Sequence, residues 1–209
     1  MTRSYNLDTE AARAANSGGN FLNETGKFVG IFTRAEAVTA GTGTEGIEFT
    51  FKAQDGREAP YLTIYTYKSD GTALPGLKTV NAIMTCLGLR EIKPVEGTVD
   101  RWEDGKKMPT KATIFPAMQG KPIGLLLQRV EYMKTKGDAA GTIGHKVEIF
   151  APFKADTEQT AIEVLDRAPA GGLARLVERL ADKPLPAGKA PRAASATAPA
   201  ADFDDDIPF

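Results

Sequence analysis

The sequence predicts a mainly β protein. The expected fold is an OB-fold: a five-stranded barrel with a helix between strands 3 and 4, then a C-terminal helical segment and a disordered acidic tail. Three observations lead there. Apolar and polar residues alternate with period two in five stretches. After the third stretch the period changes once, to three or four residues. Glycine-bearing turns join stretches 1–2, 2–3 and 4–5, and three strands, a helix and two strands is the element order of that barrel.

Residues 1–20 are polar and rich in small side chains, and close on Ser17-Gly18-Gly19; they read as a flexible N-terminal arm. The barrel is expected over residues 21–154. Lys27 to Ala40 alternates as the first strand, with Phe28, Gly30, Phe32 and Arg34 on one side and Val29, Ile31, Thr33 and Ala35 on the other. A glycine-rich loop, Thr39 to Gly46, leads to a second strand, Ile47 to Lys52. Asp55-Gly56 is a hairpin turn. In the third strand, Pro60 to Tyr67, Leu62 and Ile64 point one way and Tyr61, Thr63, Tyr65 and Tyr67 the other.

Leu77, Val80, Met84 and Leu87 then mark one face of a helix, with Pro75 near its start and Gly88 past its end. Glu91 to Lys111 reads as a long charged connection carrying the only tryptophan, Trp102. Ile123 to Met133 and Ile143 to Phe153 are strands four and five. Residues 155–182 read as a short helical segment beside the barrel, broken at Pro169-Ala170-Gly171-Gly172. Its stripe of Leu173, Leu176, Val177 and Leu180 fits packing on the barrel. Residues 183–201, rich in proline and alanine, bury too little to offset ordering entropy and read as a disordered linker.

The formal net charge is −1, but it is unevenly spread. Met1 to Lys154 holds 20 Lys and Arg against 17 Asp and Glu, a net of +3, and the remainder carries −4. A single cysteine, Cys86, gives no disulfide framework, and no apolar run resembles a signal peptide or membrane span, so a reducing cytoplasm is the expected compartment. Gly41-Thr42-Gly43-Thr44-Glu45-Gly46 matches GxGxxG literally, but a strand follows it where a dinucleotide site needs a helix. His145 and Cys86 are one of each, so they form no metal cluster. No nucleophile relay is visible, and neither enzyme activity nor a cofactor is expected.

Proteins that hold single strands without sequence preference combine aromatic platforms with a positive groove. Tyr61, Tyr65 and Tyr67 project outward if Leu62 and Ile64 fill the barrel, although tyrosines also suit half-buried strand surfaces generally. Lys52, Arg34, Arg57 and Lys68 lie near the same strands or their ends. Lys134 and Lys136 sit in the loop between strands 4 and 5. Lys106 and Lys107 flank Trp102, whose alternative job is to cap the barrel end.

The chain ends Asp202-Phe203-Asp204-Asp205-Asp206-Ile207-Pro208-Phe209. Four aspartates would keep any tail soluble; they do not account for Phe203, Ile207 and Phe209. Large apolar residues beyond a linker suggest a peptide ligand, with Phe209 filling a pocket and its carboxylate meeting an arginine. These eight residues closely resemble the acidic tip of bacterial single-stranded DNA-binding proteins. The resemblance implies an OB-fold that coats single strands and a tip that recruits exonuclease I, primase, helicases and recombination mediators. The body, with Glu24-Thr25-Gly26-Lys27-Phe28 and Asn81-Ala82-Ile83-Met84-Thr85-Cys86-Leu87, more loosely resembles bacteriophage single-stranded DNA-binding proteins. The bacterial family's DNA contacts and tetramer therefore do not carry over, and a homo-oligomer stays open. Two alternatives remain: a decoy or adaptor that mimics the tip without a DNA role, and a strand-annealing protein.

Overall fold

The computed structural model describes residues 20–103, 106–135 and 139–186. Within them, seven strands form one antiparallel sheet: β1 (Gly26–Thr39), β2 (Glu45–Ala53), β3 (Glu58–Tyr67), β4 (Val95–Glu103), β5 (Lys106–Ile114), β6 (Pro122–Met133) and β7 (Ile143–Phe153). Helix α1 (Gly76–Cys86) separates β3 from β4, a 3-10 turn at Pro116–Met118 separates β5 from β6, and short helices α2 (Ala161–Asp166) and α3 (Gly172–Glu178) follow β7. The expected arm up to residue 19, most of the expected linker (from residue 187) and the acidic tip lie outside the described residues. The first residues of that linker, 183–186, run beside β6, where the Lys183 N–H donates to the Arg129 carbonyl at 2.8 Å and the Glu131 N–H donates to the Lys183 carbonyl at 2.9 Å.

The sheet forks at β1. One edge pairs with β2 from Gly30 to Thr39. The other edge is divided: Gly26 to Ile31 pair with β6, and Glu36 pairs with Ile114 of β5. β7 continues from β6. β3 and β7 approach each other without pairing, so the hydrogen-bonded sheet does not close. Five strands were expected; the extra two come from the stretch read as a long connection, which is the hairpin β4–β5 in register from Val95↔Ile114 to Glu103↔Lys106. Its residues are polar on both faces because little of it is covered. Val99 is buried, whereas Val95 and Met108 are exposed, so no apolar period betrays the strands. The Asp104-Gly105 pair between them was the missed signal, the same dipeptide that marks the turn at Asp55-Gly56.

The core lies between α1 and the inner faces of β1, β2, β3 and β6. Phe32 packs on Phe49 with ring centroids 4.5 Å apart and meets Phe51 edge-on at 6.0 Å. Each such ring, fully buried, contributes roughly 1.5–3 kcal/mol. From α1 come Val80, Ile83 and Cys86, and burial pushes the Cys86 thiol up to about 11. Leu62 and Ile64 are buried while Tyr61, Tyr65 and Tyr67 are exposed, as the period of the third strand requires.

β1 departs from its simple alternation. Phe32 opposes Phe51 and Arg34 opposes Thr50, so Thr33 is an extra residue, a β-bulge. The bulge switches which parity faces inward: Phe32 and Ala35 are both fully buried in the core. Strict alternation would have put Arg34 beside Phe32 in the core, where an unpaired guanidinium is prohibitively costly. The extra residue turns Arg34 out.

A second, smaller cluster on the opposite side of β1 and β6 joins Leu126 and Phe153 to Leu173 of α3. Glu163 fixes this corner. Its carboxylate accepts from the Thr160 backbone N–H at 2.8 Å, closing a capping box on α2, and from the Gly172 N–H at 2.6 Å at the start of α3. These hydrogen bonds, the Thr160 backbone first, hold its pKa below the usual value of 4.5. A depressed folded-state pKa means stabilisation present above the unfolded pKa and lost as pH falls through the folded one. Glu163→Gln should therefore melt below wild type at neutral pH, and thermal scans should show the gap closing as pH drops below about 4.5.

Gly30 lies between two paired strands, opposite Ala53 on β2 and Ile123 on β6. A Cβ there would stand 2.1 Å from the Lys52 carbonyl oxygen and 2.8 Å from the Ala53 Cα. Both obstacles are backbone, so the strands themselves would have to part. Gly30→Ala should lower stability by about 2 kcal/mol or more, read from urea or thermal unfolding.

Candidate nucleic-acid interface

Two bulges meet at one residue. Thr50 of β2 faces the Thr33 bulge on β1, whose hydroxyl donates to the Thr50 carbonyl at 3.3 Å. On its other side, Phe49 opposes Leu62 and Phe51 opposes Ala59, so Pro60 and Tyr61 of β3 share Thr50 between them. Proline suits a bulge because it has no ladder N–H to give. Bulges re-aim side chains, and here they floor a groove of about 1040 Å³. Thr33, Arg34, Thr50, Lys52 and Tyr61 form its floor. Thr98, Val99, Asp100 and Ile114 of the β4–β5 hairpin form one wall, and Phe21 lies at its margin.

A ladder of alternating charge crosses the same face. Glu36 and Glu48 stand directly opposite each other on β1 and β2, an unfavourable pairing of like charges. Arg34 relieves it: its guanidinium donates to Glu48 Oε1 at 2.5 Å and lies 3.7 Å from Glu36 Oε2. The Thr63 hydroxyl donates to Glu48 Oε2 at 3.1 Å. Arg101, on β4, donates to Glu36 Oε1. Glu36 is almost wholly buried, whereas the Arg101 side chain is 43% exposed. The hairpin joins β1 through few ladder bonds, so this contact ties the hairpin wall to the groove floor.

The predicted cations divide between committed and uncommitted. Arg34 is held in the ladder. Arg57 closes its own turn, pairing with Asp55 at 2.8 Å and Glu24 at 2.6 Å beside the Phe28 ring. Lys52 stands at the groove 3.9 Å from Glu58, which lines it too. Lys68 and Lys106 are exposed; Lys134 is half-buried and begins the β6–β7 loop, its N–H donating to the Thr142 carbonyl. Trp102 and Lys107 oppose each other in the hairpin; their side chains, and Lys136 altogether, lie outside the described residues. With Glu58 and Asp100 beside Lys52 and Arg34, the groove lining is close to neutral.

The three tyrosines also separate. Tyr61 lies in the groove. Tyr65 lies over Gly46, where a Cβ would come 3.1 Å from its ring. Tyr67 lines a different hollow of about 440 Å³, with Ala37, Ile47, Val80, Met84 and Phe115. Only one of the three therefore reaches the bulged floor. Sequence reasoning missed Phe21 and Arg101. Phe21 precedes the first strand, among residues without periodicity, and Arg101 lies in the hairpin read as a connection.

Among the described residues no cluster of His, Cys, Asp or Glu has the makings of a metal site, and no helix is long and apolar enough to cross a membrane. Comparisons of the sequence with protein families and with curated proteins find no match.

Removing Arg101 leaves Glu36 buried with Arg34, 3.7 Å away and shared with Glu48, as its remaining cationic partner. A double-mutant cycle on Glu36→Ala and Arg101→Ala, followed by chemical denaturation, should give a coupling of about 1–3 kcal/mol. The double variant should be more stable than additivity of the two single losses implies.

Proposed function

We propose that this protein binds single-stranded DNA without sequence preference, in the manner of bacteriophage single-stranded DNA-binding proteins. It would serve replication, recombination and repair in the cytoplasm of a bacterial host. The groove carries the reading: an open channel floored by bulged strands, lined by small hydroxyls and an exposed tyrosine, and walled by a lysine-bearing hairpin. Strands β1–β2–β3, the helix α1, then β6 and β7 follow the element order of an OB-fold. On this reading, the β4–β5 hairpin is an insertion between the helix and the fourth barrel strand. Nucleic acid would then lie across the second and third strands, as in other OB-folds.

The second half of the proposal rests on the sequence of the last eight residues. Asp202, Phe203, Asp204, Asp205, Asp206, Ile207, Pro208 and Phe209 recruit host enzymes that bind such tips: exonuclease I, primase, helicases and recombination mediators. The 23 residues after Pro186 reach at most roughly 80 Å, ample for an enzyme working on the coated strand.

The near-neutral groove favours one other reading, a tip-mimicking decoy or adaptor that occupies host enzymes and leaves DNA alone. Oligothymidine titration separates the two. We expect binding at low salt, with Lys52, Lys68, Lys106 and Lys134 as phosphate contacts. Four contacts give a slope of log K against log salt near −3, at about 0.7 per neutralised phosphate. Removing Asp202 to Phe209 should leave affinity equal or higher while abolishing binding to exonuclease I. No binding in dilute buffer would favour the decoy, and much weaker binding by the truncated protein would contradict the separation of roles. Acceleration of complementary-strand pairing would add an annealing activity.

A further inference from the structure

Tyr61 has φ +59°. This is the left-handed region, where an L side chain crowds its own backbone and glycine does not. A bulky residue persists there only when something compensates. Packing does not: Tyr61 is 67% exposed, the most exposed of the three tyrosines on β3. The Arg34 guanidinium lies over it, 5.7 Å from the ring centroid. Arg34 is itself fixed by Glu48 and Glu36, so the ring is backed by a held cation and otherwise open to the groove.

Phe21 is the second unexplained ring, 62% exposed and lining the same groove. It is not a loose residue. The Leu22 N–H donates to the Glu58 carbonyl at 2.8 Å, and the Glu58 N–H donates to the Asn20 carbonyl at 2.9 Å. Leu22 is buried in the core. The segment is pinned against β3 at Glu58, two residues before the Pro60–Tyr61 bulge, with Leu22 in and Phe21 out. Among the described residues this anchored phenylalanine stays exposed, and the groove between the two rings is near neutral.

Resting on the reading of the groove as a single-strand site, we infer that Tyr61 and Phe21 are stacking platforms for unpaired bases. The groove takes bases inward and leaves phosphates to Lys52 and to lysines outside its lining. The ligand is recognised by the flat faces of its bases, which explains tolerance of sequence and excludes duplex DNA, whose bases are already stacked. The strain at Tyr61 is the cost of displaying a ring where a bulge would otherwise carry glycine.

The test uses the full chain, fluorescent oligothymidine and thermal unfolding in parallel. Tyr61→Gly removes the strain together with the ring, so it should melt at or above the wild-type temperature while binding weakens by roughly 5- to 150-fold. Tyr61→Asn, which also tolerates positive φ, should behave likewise, and Phe21→Leu should weaken binding over the same range. An abasic sugar-phosphate oligomer of equal length should bind far more weakly than oligothymidine. Wild-type binding that these variants leave unchanged would overturn this inference alone, as would equal affinity for the abasic oligomer. A lower melting temperature for both Tyr61 variants would overturn the strain argument. A wild-type protein that ignores oligothymidine would overturn the inference and the functional reading together.

Discussion

β1 has to serve three partners. It pairs along one edge with β2 while its other edge passes from β6 to the hairpin strand β5. A fourteen-residue strand that kept one parity throughout would carry Arg34 and Glu36 into the core with Phe28 and Phe32. The bulge at Thr33 resolves this conflict. It leaves Phe32 and Ala35 inside, turns Arg34 and Glu36 toward the hairpin, and bends the sheet where the groove opens. The matching bulge at Pro60–Tyr61 acts on the same residue of β2 from the other side. Core packing, the position of the hairpin and the shape of the groove are all consequences of these two insertions around Thr50.

The charge ladder follows from the same geometry. Once Glu36 is turned outward it faces Glu48, and the hairpin covers it before water can. Two arginines then balance two glutamates, from β1 and β4. This engages Arg34, which the sequence places among the candidate DNA contacts. Arg57 is similarly consumed in its turn. What remains for a ligand is a floor of hydroxyls, Tyr61 and Lys52 with further lysines outside it, so base stacking rather than a strongly positive channel would supply most of the affinity.

Legibility in the sequence tracked periodicity. The inward Leu62 and Ile64 and the outward tyrosines were readable, because each lies where one face is buried and the other is not. The helix stripe was readable only in part, since Val80 and Leu87 are buried but Ile83 and Cys86, rather than Leu77 and Met84, complete the buried face. The hairpin was not readable from its pattern, since a strand pair solvated on both faces carries no apolar alternation; Asp104-Gly105 was the available clue. Bulges are invisible to alternation, but a charged residue in phase with Phe28 and Phe32 was a sign that phase was about to change. Phe21 had no such sign, because its place is set by backbone bonds to Glu58. The closing Asp202–Phe209 segment lies outside the described residues, and its reading stands on sequence resemblance.

Backbone amide NMR of the full chain during titration with oligothymidine tests the central claim most directly. The account predicts that the largest shifts fall on Phe21, Thr33, Arg34, Thr50, Lys52, Tyr61 and Thr98, tracing the groove from its margin across both bulges to the hairpin. Shifts centred instead on the hollow beside Tyr67 and Met84, or none at saturating oligonucleotide, would contradict it.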